Sequence, residues 1–415
     1  MAILSRHSSC VSLTLLGLLC ARAVDAQPPG TLAAAAAAAA ERGPQALSSE
    51  AIQSSIDALG IVDAAASTAA FTTRMNAARA LRRAPAPAVT PALLHAVESN
   101  SNAYVRFRAL VLLTAFNDSR TPAVMRDIVT NPNDRLRTVA YEYYEHHPSA
   151  EMIPALLQAL DREDSEFVRP ALIRALAAQA NDPRVRETLL QEVGRGQDYF
   201  RSAVIEALGD YRASYALESL LQIARLGGPL QIDAVVALGK LKDQRALETL
   251  SSLQRSAPRE TQPPLAAAIC LLGINCDAHL GYLFETLKFA EKNPGYQQLL
   301  RNTVAALVAV AESGNARALQ AIFDVGIPSS DPPRAPMALG AGTAAIRNAP
   351  LMLLFLETYA NRDAAIDVVA EGFDMLEEDY EKEGFFATVR RGYWQAPEGS
   401  ATRKVGQALI EKLEF

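Results

Sequence analysis

Leu208-Gly209 and Leu238-Gly239 stand 30 residues apart, and the likeness continues beyond them. Ala216-Leu217-Glu218 matches Ala246-Leu247-Glu248, and Leu220 matches Leu250. Self-similarity at a fixed period marks an architecture that grows by stacking one small unit, because each unit is too small to bury its apolar face alone. Let position 0 be the residue that opens the second helix of each unit. It falls at Thr73, Val105, Leu136, Val168, Phe200, Leu230, Pro264 and Leu300, in steps of 30 to 36 residues. Position +4 is Ala, Leu or Val in every unit, and +7 and +8 are mostly Ala or Leu followed by Leu. Offsets of 0, +4, +7 and +8 share one face of an α-helix, and the small residues there let neighbouring helices approach closely.

The first helix of each unit is marked by its start. Thr121-Pro122 and Asp182-Pro183 each place an N-cap residue before a proline, which is tolerated in the first helical turn. Gly209, Gly239 and Gly273 follow position +8 and suit helix C-termini. No useful stretch alternates with period two, so strands are not expected.

A two-helix unit of about 31 residues with a V-R-x-x-A-x-x-A-L-G core resembles the HEAT repeat, in particular the short HEAT-like repeats of the bilin-lyase-associated type. The likeness rests on Val168-Arg169 with Ala175-Leu176, on Phe200-Arg201 with Ala207-Leu208-Gly209, and on Leu230 with Ala237-Leu238-Gly239 and Ala246-Leu247. The resemblance implies an all-α, right-handed solenoid of HEAT-like helix pairs, and says little about function because such repeats serve mostly as binding scaffolds.

The ends of the chain differ from its middle. Residues 1–26 read as a secretory signal peptide: Arg6 is the basic start, Val11–Leu19 the apolar stretch, and Val24-Asp25-Ala26 a cleavage site. A lipid anchor at Cys20 is the alternative, although Leu19 is large for the preceding position. Residues 27–47, with eight consecutive alanines, form a low-complexity linker, and Ser48 or Ser49 can cap the helix that follows. The repeats then occupy 48–325, a Pro/Gly-rich loop 326–342, and a degenerate repeat with a C-terminal helical cap 343–415. No run in the mature chain reaches the ~20 apolar residues that span a bilayer. The formal charge is −6, and losing Arg6, Arg22 and Asp25 with the signal leaves about −7. That mild acidity argues against a nucleic-acid partner.

The most ordered polar feature is position +1, occupied by Arg74, Arg106, Arg137, Arg169, Arg201 and Arg301. One per unit, these arginines make a ladder. The resemblance implies bonding within and between repeats, with Asp134, Asp164 and Asp198 as nearby partners; an anion-binding groove is the alternative. Tyr141, Glu142, Glu145 and His146 form a candidate ligand surface, whereas Tyr143 and Tyr144 sit on the core face. His146 and His147 point about 100° apart on a helix and would need further ligands to hold one ion. No metal site, cofactor or catalytic residue is assigned: the chain has no H-E-x-x-H, no G-x-S-x-G and no paired zinc spacing. Cys270 and Cys276 flank Gly273, and a reversal there brings them within disulfide range; two free thiols are the other reading. Trp394 is expected to plug the end of the core, and the acidic run 377–383 is either part of the cap or a docking site.

The expectation is an exported scaffold, periplasmic or extracellular, that binds a protein or peptide along a concave face lined by the second helices. A lyase-like enzyme or helper in cofactor attachment, and a solenoid that binds glycans or anions, are the alternatives.

Overall fold

The structure, a computed structural model, describes residues 46–62, 67–376 and 379–415. The signal peptide, Cys20 and all of the linker but residues 46–47 lie outside them. Twenty-two α-helices and no strand are found among the described residues.

The helices form eleven consecutive pairs. The first pair is α1 (Ser49–Ala58) and α2 (Ser67–Arg83), and the second is α3 (Ala86–Ser99) and α4 (Ala103–Thr114). Then come α5 (Thr121–Ile128) and α6 (Asp134–His146), α7 (Ile153–Leu160) and α8 (Arg169–Ala177), and α9 (Pro183–Glu192) and α10 (Asp198–Asp210). The middle pairs are α11 (Leu217–Leu226) with α12 (Gln231–Leu241), α13 (Leu247–Ser256) with α14 (Gln262–Leu271), and α15 (Cys276–Lys292) with α16 (Gln297–Glu312). The last are α17 (Ala316–Gly326) with α18 (Arg334–Arg347), α19 (Ala349–Thr358) with α20 (Arg362–Met375), and α21 (Tyr380–Gln395) with α22 (Ala401–Lys412). The even-numbered helices from α2 to α20 pack side by side and form the inner layer of an α-solenoid, with the odd-numbered helices outside.

Caps fix several starts. Ser48 Oγ accepts from Ala51 N, and Asp182 Oδ1 from Arg184 N ahead of Pro183. Thr121 is not a cap. It is the first helical residue and its hydroxyl is buried without a partner, while Asp118 Oδ1 accepts from Arg120 N.

Gly209 and Gly239 do not end helices either; both lie inside them. A Cβ on Gly209 would stand 2.7 Å from Ala237 Cα, and one on Gly239 2.5 Å from Ala268 Cα. The Leu-Gly repeat therefore records a close crossing of successive inner helices. Only Gly273 is the expected turn glycine, with φ +82°. Inner helices packed on Ala and Gly, against outer helices packed on Leu, curve the array sharply inward.

The expected loop at 326–342 is mostly helix. Only residues 327–333 connect α17 to α18, and Gly340-Ala341-Gly342 lies within α18. There Gly342 faces Gly372 of α20, and a Cβ on Gly342 would be 3.0 Å from the Gly372 carbonyl carbon. Glycine at a helix crossing removes the side chains that would hold two backbones apart, and composition alone cannot distinguish that from a turn.

The C-terminal pair does not merely cap the last repeat. Helix α21 lies against α18 and α19 on one side and against α4 and α6 on the other. Arg79 of α2 pairs with Glu414, Arg83 Nη2 donates to the Phe415 carbonyl, and Arg82 pairs with Glu383 at 2.8 Å. Phe386 stacks on Phe415, with Arg82 over the Phe386 ring. The first and last pairs thus touch, and the array closes on itself. The concave face expected to receive a protein or peptide is occupied over pairs 1–3 by the chain's own C-terminal hairpin.

Candidate functional site

Closure brings the C-terminal ends of the inner helices toward one another around a cavity of about 730 Å³. Its wall carries charges of alternating sign, one from each of several successive inner helices. Glu145 of α6 pairs with Arg174 of α8 at 2.8 Å, and Arg174 with Asp210 of α10 at 2.7 Å. Asp210 pairs with Lys240 of α12 at 2.5 Å, and Lys240 with Glu312 of α16 at 3.0 Å. Arg347 of α18 pairs with Glu381 of α21 at 2.9 Å. Burial would lower Lys240, but the carboxylates of Glu312 and Asp210 outweigh it and hold the ammonium above its ordinary range. Burial opposes ionisation of Asp210, yet Lys240 and Arg174 bring it down to about 2. Lys240 and Arg347 sit in the last turns of their helices, where the backbone dipole also favours a cation.

This charge chain was not singled out from the sequence, although a signal for it exists. Asp210 and Lys240 occupy the same register, +10, in adjacent units and carry opposite charges.

The arginine column works at the opposite ends of the same helices. Arg74 Nη1 donates to Ile61 O, Arg106 Nε to Val97 O, Arg137 Nη1 to Asn131 O, Arg169 Nη1 to Leu160 O and Arg201 Nε to Val193 O. Each guanidinium reaches back across the turn to a carbonyl at or just beyond the end of the preceding outer helix. Gln231, which replaces arginine in its unit, does the same with Ala224 O. Arg301 instead donates to Gln298 Oε1. Of the expected acidic partners, Asp134 pairs with Arg137 and Asp198 with Arg201, but Glu163 takes the place foreseen for Asp164.

The candidate surface of Tyr141, Glu142, Glu145 and His146 is split. Tyr141 is buried, its hydroxyl donates to Val129 O, and burial pushes it up to about 12. Glu142, Glu145 and His146 remain together, spaced i, i+3 and i+4 on the face of α6 that meets the start of α21. The His146 ring stacks on Tyr380 at 5.2 Å. Glu145 Oε1 receives Arg174 and, at 2.8 Å, the Tyr211 hydroxyl. The Glu142 carboxyl is enclosed although the residue's stem is half-buried, and its Oε2 has no hydrogen-bond partner. Burial, then the charges of Asp379, Glu381 and Glu145, push that carboxyl well above its ordinary range.

The remaining candidates divide. Cys270 and Cys276 are joined in a disulfide across the Gly273 turn. Trp394 does not plug the core. It is 45% exposed under Arg403, while its neighbour Tyr393, 3% exposed, fills that place. The described part of the acidic run is spent internally: Asp379 caps α21, Glu381 pairs with Arg347, and Glu383 with Arg82.

A second feature, also unread in the sequence, lies at the opposite edge, where the inner helices begin. Tyr104 and Phe107 start α4 beneath Arg135 and Tyr199 and Phe200 start α10, all four half-buried; Phe167, in the turn before α8, and Leu226, at the end of α11, are 77% and 76% exposed. The same turn of successive units faces the same edge, so these residues share it across pairs 2, 4, 5 and 6.

Residues 58–145 and 153–229 match the model of HEAT repeats. No curated protein matches the sequence. Among solved structures, importin beta in an ammonium sulfate condition aligns at 12% identity and a TM-score of 0.41, covering 92% of this chain and 66% of importin beta. A Kap121p mutant aligns at 12% identity and 0.30 over 88% of this chain and 40% of its own. A structure of microtubule polymerases with arrays of tumor overexpressed gene domains aligns at 12% identity and 0.22, over 83% of this chain and 97% of its own. The chain thus spans less than two thirds of the first two. No described helix is by itself long and apolar enough to cross a membrane. The matched repeats and the stacked pairs of α-helices around them make this chain a HEAT-repeat protein.

Proposed function

We propose that the protein is an exported scaffold that binds a protein partner along the edge where its inner helices begin. The observation that carries this reading is the exposure of Phe167 and Leu226 on one edge, with the half-buried aromatics Tyr104, Phe107, Tyr199 and Phe200 at the same edge, on a frame whose inner face is occupied over pairs 1–3 by its own C-terminal hairpin. Isolated exposed apolar residues are ordinary, but two large ones on the same edge as half-buried aromatics from pairs 2 and 5 make an apolar grouping of the kind that marks interaction sites. Arginines above aromatic rings add the residue types enriched at binding hot spots. The export part rests on the signal-like residues 1–26.

The test is photo-crosslinking from position 167 in the producing cell's envelope and secreted fractions. One dominant partner is expected, lost on Phe167→Ser with Leu226→Ser and retained on Lys240→Gln. Loss on Lys240→Gln alone would return the binding site to the inner face. Retention of the unprocessed N-terminus inside the cell would remove the export reading.

A further inference from the structure

The junction between α6 and α21 gathers four carboxyl groups around two guanidiniums. Glu142, Glu145, Glu381 and Asp379 converge there, and the guanidiniums beside them are Arg174 and Arg347. Ligand atoms of Glu145, His146 and Glu381 lie within 4.8 Å of one another. Each carboxylate is engaged on one oxygen only. Arg174 and Tyr211 bond Glu145 at Oε1, leaving Oε2, and Arg347 Nη1 donates to Glu381 Oε1, leaving Oε2. Glu142 adds a buried Oε2 with no partner on the same helical face. His146 is exposed, and Tyr380 holds its ring by stacking.

We propose that Glu145, His146 and Glu381 bind one divalent transition-metal ion of the zinc type, with Glu142 as a fourth donor. The site takes its residues from two elements 235 positions apart in sequence, His146 and Glu381. It therefore exists only when the C-terminal hairpin is seated, and metal binding would clamp the array closed. One imidazole with several carboxylates suits zinc better than calcium, which takes six to eight oxygens. Donors 2.0–2.2 Å from a tetrahedral ion stand about 3.4 Å apart, so the present spacing closes by small side-chain rotations. The fixed second contacts, Arg174 on Glu145 and Arg347 on Glu381, are the outer-shell partners that orient ligating carboxylates. In sequence, the pair of adjacent histidines lacked further ligands; folding supplies them from α21.

The experiment is calorimetric titration of the full mature chain, stripped with chelator, with zinc chloride and separately with calcium chloride. One zinc per chain is expected, with calcium far weaker. His146→Ala and Glu381→Gln should each weaken zinc binding about tenfold or more, whereas Glu248→Gln on the outer helix α13 changes nothing. Absence of a saturable one-to-one site overturns the proposal, and so does equal affinity in the His146→Ala, Glu381→Gln double variant. Two readouts on the wild type guard against variants that fail to fold. Zinc X-ray absorption should show one imidazole among nitrogen and oxygen ligands, and hydrogen exchange in α21 should slow with zinc. Sulfur ligation, or exchange in α21 indifferent to zinc, would count against it.

Discussion

At the scale of single residues, Gly239 shows how a backbone atom limits a side chain. Its helix passes so near Ala268 that a methyl group has no room. Gly239→Ala is expected to lower stability by about 1–3 kcal/mol through overpacking, measured by urea denaturation, even though alanine is the better helix former. Asp233 offers a second test. Burial raises its carboxyl to about 6, against the opposing hydrogen bond from Ser202. A raised carboxylate is most favourable when protonated, so its contribution is full below its unfolded value near 4 and is lost as pH rises through 6. Asp233→Asn should therefore raise stability at pH 7 by about 1–2 kcal/mol and flatten the pH dependence between 4 and 6. Individual residues were only partly legible in the sequence. The arginines at +1 were seen, but not their carbonyl acceptors, because an acceptor on the backbone leaves no trace in residue type. Tyr141 was placed on a ligand surface because its helical phase points away from the core stripe; the adjoining turn, which covers it, has no such periodicity.

At the scale of elements, the helix pairs were legible because a stripe at 0, +4, +7 and +8 repeats with little drift through Leu300. Beyond Phe323 it failed, since the crossing of α18 and α20 sets glycine against glycine where earlier crossings set glycine against alanine, and a helix with several glycines reads as a loop. Nor was the hairpin of α21 and α22 placed, because its partners lie some 300 residues upstream. Its seat rests on Glu383, buried with Arg82 and 3.5 Å from Arg390. Removing one member of a buried ion pair strands the other, so Glu383→Ala should cost about 3–5 kcal/mol in a denaturation measurement. Replacing Arg82 by methionine in the same chain should recover part of that loss, because an apolar side chain is no burden in this site.

At the scale of the whole molecule, closure sets the dimensions. The ten pairs up to α20, stacked openly at about 10 Å each, would form an arc near 100 Å long. A compact body of about 370 residues has a radius of gyration of about 21 Å. Small-angle scattering from the mature chain should fall near the compact value, with a small addition from the N-terminal segment. A radius near 30 Å would mean that the hairpin is unseated in solution.

Most stacked arrays can gain or lose a unit, since each contacts only its neighbours. This one has a fixed count. Deleting the pair that carries Arg174, Asp210 or Lys240 would turn Arg82 away from Glu383 and set like charges side by side along the inner wall, so the number of units is as much a constant of the fold as the number of strands in a closed barrel.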